Sequence, residues 1–153
     1  MELNGKALYF VAVKVFLRKG SELLITHDIF GSWDLPGGRI KLDEFGVSLE
    51  EVVARKIREE LGDKVTYKLL GATDTFFQVQ RREATADNKD VKIFAVSFEA
   101  NYLGGELQLG EHHDEYRWVD IRTFEPNTLF EGGWLTGLED YLAKVNNQKG
   151  GGA

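Results

Sequence analysis

The chain has 153 residues, 42% hydrophobic and 29% charged, with a formal net charge of −6 and no cysteine. That balance describes one globular domain, read here as residues 1–147, and excludes a disordered or membrane-embedded composition. The acidity works against recruitment to nucleic acid backbones, and the missing cysteine excludes disulfides and thiolate metal sites.

Residues 7–18 are rich in Val, Phe and Leu with apolar groups on both alternating faces, which predicts a central strand buried on both sides. A Lys-Gly-Ser turn at 19–21 leads to a second strand at 22–27. Residues 32–36 run into the pair Gly37-Gly38 and a short strand at 39–41. The clearest helix follows. Ser48 is a hydroxyl N-cap with Glu51 three residues on. Leu49, Val52, Val53, Ile57 and Leu61 recur at helical spacing, and Gly62 supplies the stop. Residues 66–80 and 91–102 read as two long strands joined by a polar link at 81–90. Gly104-Gly105 turns the chain, and 115–120 reads as another strand. The last helix puts Trp134, Leu135, Leu138, Tyr141, Leu142 and Val145 on one face, and 148–153 reads as a frayed tail. Strands with two amphipathic helices predict a mixed sheet between helical layers. No run of residues is apolar enough to span a bilayer, and residues 1–6 lack signal-peptide features, so a cytoplasmic protein without a membrane partner is expected.

The chemistry concentrates at 35–44 (LPGGRIKLDE) and 55–62 (RKIREELG). A glycine pair lets backbone approach a ligand closely. Glu59 and Glu60 point about 100° apart on a helix, yet both flank one groove edge. Mg²⁺ takes one or two carboxylates, carbonyl oxygens, water and substrate phosphate oxygens. By itself Glu59, four residues after Arg55, is an ordinary surface pair worth about 0.3–0.5 kcal/mol.

Taken together, these residues resemble the Nudix family. Its signature is Gly, five residues, Glu, seven residues, Arg-Glu, aliphatic, any residue, Glu-Glu, any residue, Gly, aliphatic. Gly38, Glu44, Arg55, Ile57, Glu59, Glu60 and Gly62 match, after the usual lead-in of residues 33–37, and 116–119 also resembles the family. The resemblance implies an α/β/α sandwich with a mixed central sheet. It implies water attack on phosphorus in a nucleoside diphosphate derivative, with Mg²⁺ or Mn²⁺ held by Glu59, Glu60 and the Gly37 carbonyl. Arg55 would orient those carboxylates and Glu44 would brace the loop. A homodimer is compatible with the family.

The match fails in places. Ten residues separate Glu44 from Arg55 instead of seven, a surplus assigned to residues 45–47. Asp63 replaces the final aliphatic residue, a minor packing change. Lys56 replaces the Glu of Arg-Glu. By spacing it shares a helix side with Glu59 and Glu60, so the expectation is fewer metal ions, weaker metal binding, or a direct lysine–phosphate contact. A substitute base is sought in residues 110–115: Glu111 first, His112 second. Arg39, in Gly-Gly-Arg-Ile, resembles the nucleotide-sugar branch and is a substrate-binding candidate, which tips the substrate toward a nucleotide sugar over a nucleoside triphosphate. Trp33, Phe76, Phe77 and Phe94 are read as core, and Arg81 and Arg82 as solvated. The alternative is a Nudix-like domain that binds nucleotide without hydrolysis, and the charge disfavours an RNA-end enzyme.

Overall fold

The computed structural model describes residues 2–82 and 90–151, the side chains of 149–151 excepted. The polar link of 81–90 therefore falls mostly outside the described residues. A hairpin opens the chain: β1 (Glu2–Leu3) pairs with β2 (Lys6–Ala7) around Asn4 and Gly5, both at positive φ (53° and 75°), as two-residue hairpin turns require. Ala7 thus belongs to this hairpin, and the long strand starts three residues later than the sequence implies.

The main sheet is built from β3 (Phe10–Lys19), β4 (Glu22–Asp28), β9 (Asp90–Gly104), β10 (His113–Asp120) and β7 (Thr66–Ala72), in the order β10-β4-β3-β9-β7. Three shorter strands join it: β5 (Trp33–Asp34) on β4, β6 (Gly37–Arg39) on β3, and β8 (Phe77–Arg82) on β9. The β3–β9 ladder is parallel and the others antiparallel, so the sheet is mixed.

Two helices cover its faces. α1 (Leu49–Leu61) packs over Val13, Val15, Leu17 and Leu24, and α2 (Gly132–Gly151) over Phe16, Leu23 and Ile25. Neighbouring β3 residues feed opposite layers, which is why the strand is apolar on both sides. The Phe16 and Tyr141 rings stack 3.8 Å apart on the α2 side. α2 runs through Gly151, so helix reaches into the segment 148–153 that the sequence marks as a tail. Among the described residues no helix is long and apolar enough to cross a membrane.

The predicted strand at 66–80 is two strands. β7 and β8 pair with successive halves of β9, and Thr73–Phe76 occupy four positions opposite Val96 and Ser97. Hydrogen bonds hold the break: Thr73 N–H donates to the Ser97 carbonyl, and Ser97 Oγ to the Thr75 carbonyl. Phe76 sits in it 57% exposed, and Phe94 is half-buried. Of the three phenylalanines only Phe77 is core, at 4%.

Candidate active site

α1 begins as its sequence dictates. Ser48 Oγ accepts from the Glu51 N–H at 3.2 Å, and Gly62 closes the helix at φ 93°. Val52, Val53, Ile57 and Leu61 are buried against the sheet, whereas Leu49 at the first turn is 36% exposed. This rotation puts Glu59 at the helix flank, its side chain 43% exposed, and turns Glu60 inward to 7%. Glu60 meets β6, whose Gly37 N–H donates to both its oxygens at 3.3 and 3.2 Å. Gly37 has φ 139°, and a Cβ there would lie 2.0 Å from the Val13 carbonyl oxygen. Only glycine allows this approach. Burial pushes the Glu60 carboxyl up to about 7, against the pull of Lys14 and Lys56.

Arg55 joins the motif's two halves. Its Nε and Nη2 donate to Glu44 at 2.6 and 2.7 Å, and Nη1 donates to Glu59 at 3.1 and 3.2 Å. Glu44 also accepts from the Lys41 N–H at 2.9 Å. These hydrogen bonds, Arg55 first, hold the Glu44 carboxyl below its ordinary range. The loop extension bulges outward, with Phe45 97% exposed, and leaves Glu44 on Arg55. For Glu59, burial pulls the carboxyl upward, but Arg55 and Lys56 outweigh it and set it below its usual value.

Lys56 lies where the spacing puts it: Nζ is 3.3 Å from Glu59 Oε2. A third cation, Lys41, is 3.7 Å from Glu59. Asp34, Gly37, Lys56, Glu59, Glu60 and residues 110–113 line one pocket of about 520 Å³.

The opposite wall is docked onto the end of α1. Gln108 N–H donates to the Leu61 carbonyl (2.8 Å) and Gly110 N–H to the Glu60 carbonyl (3.1 Å), occupying acceptors that a helix end leaves open. A Cβ on Gly110 would stand 2.3 Å from the Glu59 carbonyl oxygen. Glu111 and His112 reach the rim with side chains 87% and 70% exposed, 3.5 Å apart. His113, which the sequence reading passed over, is the buried histidine of the loop. Its Nε2 is 3.9 Å from Glu60 Oε1, and its Nδ1 is buried without a hydrogen-bond partner among the described residues. Burial holds its pKa below the usual value. A register shift between His113 and Glu115 breaks the alternation that could have identified it.

Also missed was Lys14, 4% exposed at mid-strand. It donates to Asp34 Oδ2 (3.0 Å) and the Leu35 carbonyl (3.2 Å), and its Nζ lies 4.8 Å from the Trp134 ring centre. Asp34 belongs to both the carboxylate pocket and a larger cleft of about 760 Å³ that includes Phe30, Trp33, Arg81, Arg82 and Trp134. Trp33 is half-buried rather than core, between His27 and the Arg117 guanidinium. His27 bonds Asp114 at 2.7 Å, which ties the loop to β4. Arg82 pairs with Asp90 at 3.6 Å. The Arg39 guanidinium lies over the Phe10 ring, 4.7 Å from its centre, and is not among the residues lining the carboxylate pocket. Desolvation and the charge of Arg81 lower its pKa.

Among the described residues no three Asp, Glu, His or Cys side chains form a ready metal cage. Two carboxylates opening on one pocket nevertheless fit a single hard divalent ion that is shared with phosphate oxygens.

The family model for the NUDIX domain matches residues 8–135. A nucleoside triphosphatase named NudI, from Escherichia coli, is 31% identical over 91 residues, 58% of this chain and 62% of that protein. The chain thus spans less than two thirds of that relative's length. The crystal structure of a MutT protein from Methanosarcina mazei superposes with a TM-score of 0.64 at 25% identity, covering 97% of this chain and 99% of the other. A NUDIX hydrolase from Nitrosomonas europaea reaches 0.66 at 16% identity, covering 91% and 73%, a likeness of fold.

Proposed function

The chain belongs to the Nudix family of hydrolases, and we propose that it cleaves the diphosphate linkage of a nucleoside diphosphate derivative using Mg²⁺ or Mn²⁺, with a nucleotide sugar preferred. The observation carrying this reading is that Glu59, Glu60, Gly37 and Lys56 open on one pocket, facing the 110–113 loop.

Glu59, Glu60 and the Gly37 carbonyl would hold the ion. When bound, it supplies Lewis acidity that neutralises charge on phosphoryl oxygens and acidifies water. Arg55 keeps Glu59 in place and Glu44 braces Arg55. Lys56 donates a hydrogen bond to a phosphate oxygen. Glu111 takes the proton of the attacking water, with His112 beside it as the second candidate. Both stand at the wet rim of the pocket, while His113 is buried against Glu60. The organic part of the substrate extends past Asp34 into the larger cleft, which Arg81 lines; Arg39, outside that lining but within reach of the charge of Arg81, is the further substrate-binding candidate.

Gly-Gly-Arg-Ile at 37–40 favours a nucleotide sugar. The nucleoside triphosphatase from Escherichia coli, as a relative, favours a second reading, a nucleoside triphosphate. Product release from nucleotide sugars, nucleoside triphosphates and ADP-ribose, each with Mg²⁺, Mn²⁺ or chelator, tests the proposal. Metal-dependent turnover of nucleotide sugars is expected. Faster turnover of triphosphates replaces the substrate assignment, and silence with every substrate overturns hydrolysis.

A further inference from the structure

Lys56 is held in place by more than its ion pair. A Cβ on Gly38 would lie 2.3 Å from Lys56 Cε and 2.7 Å from Nζ, so the glycine leaves a slot that the end of the lysine fills. Its Nζ donates to Glu59 Oε2 at 3.3 Å and has no other hydrogen-bond partner among the described residues. An ammonium carries three donors, which leaves two for a ligand in the pocket that Lys56 lines.

The neighbouring cations are committed elsewhere. Arg55 is spread over Glu44 and Glu59, and Lys14 over Asp34 and the Leu35 carbonyl. Lys41 pairs with Glu59 from outside the pocket wall. The carboxylates of the wall sit against cations: Lys14 on Asp34, and Arg55, Lys41 and Lys56 on Glu59, while Lys14 and Lys56 both pull on the buried Glu60. The remaining carboxylate, Glu111, stands 87% exposed at the rim, where water screens it. A diphosphate therefore meets a wall whose negative charge is partly offset by these cations, with one lining cation, Lys56, holding open donors.

We propose that Lys56 is a built-in cation that lets this pocket bind a diphosphate group without any divalent metal. The inference rests on the reading of this pocket as the phosphate site and adds that anion binding and metal binding are separable in it. A charge-assisted lysine–phosphate hydrogen bond is worth about a factor of ten in affinity.

The test is calorimetric titration of the full chain with inorganic diphosphate in chelator. Wild type should bind saturably. Lys56→Gln should bind at least about tenfold more weakly, and Gly38→Ala should weaken binding with the charge retained. Lys19→Gln, which removes a lysine that pairs with Glu22 and does not line this pocket, should bind like wild type. Thermal melts confirm that each variant is folded. No saturable binding by wild type, or equal binding by Lys56→Gln, overturns the proposal. Hydrolysis assayed in parallel with Mg²⁺ separates the two readings. Turnover without chelator-resistant binding defeats this inference alone, whereas binding without turnover supports it and defeats hydrolysis.

Discussion

The two walls of the pocket are made differently. The α1 wall is local: a cap at Ser48, an apolar stripe, a glycine stop, and carboxylates placed by helical spacing. The loop wall is tertiary. Residues 108–113 have no periodicity and take their position from the carbonyls of Glu60 and Leu61, from the contact of Gly110 with Glu59, and from the tie between Asp114 and His27. One half of the site thus comes with the helix, while the other exists only once the helix is folded beneath it.

Removing the chemistry of the loop wall should have the largest effect. Glu111→Gln is expected to lower kcat by about 100-fold or more, as loss of a general base does, with the melting temperature unchanged. Steady-state rates decide it, and a near-wild-type kcat moves the role to His112. Prying the walls apart should cost less. Gly110→Ala puts a methyl group against the Glu59 carbonyl oxygen, and the loop must shift. Turnover should fall about tenfold, and stability by about 2 kcal/mol. Denaturant unfolding together with kinetics checks both, and unchanged values would mean that the walls are not coupled through this contact.

The helix wall also carries a pH dependence. In the folded chain the Glu60 carboxyl is pushed up to about 7 from an ordinary 4.5, so the folded state holds that proton more tightly than the unfolded one. Below about 4.5 both states are protonated and there is no penalty. Between 4.5 and 7 the penalty grows, and above 7 it is complete. Glu60→Gln should therefore stabilise the metal-free protein at pH 8, by on the order of 2 kcal/mol, and much less at pH 4.5. Melts in chelator across that range check it, and equal gains at both ends would contradict the sign. The smallest effect belongs far from the loop: Ser48→Ala should cost about 1 kcal/mol and leave kcat alone.

The same contrast explains what was legible in the sequence. Ser48, Gly62 and the carboxylate pair follow from local rules, and so does the reach of Lys56 to Glu59. The split of residues 66–80 was hidden because both pieces pair along one long β9, so the pattern stays strand-like through the break at Thr73–Phe76. That break exposes Phe76, which composition alone assigns to the core. His113 was hidden by the irregular register at the start of β10. Lys14 was hidden because a charge within an apolar strand looks like an interruption until Asp34, far along the chain, is folded onto it.

On the proposed function, phosphate chemistry depends on a divalent ion held by Glu59 and Glu60. Turnover against Mg²⁺ concentration, for wild type and a Glu59→Gln/Glu60→Gln double variant, decides it. Wild type should rise from background in chelator to a saturating rate. The folded double variant should stay down by more than the roughly 10–100-fold that losing a supporting residue costs. A double variant that follows the wild-type curve would contradict the account.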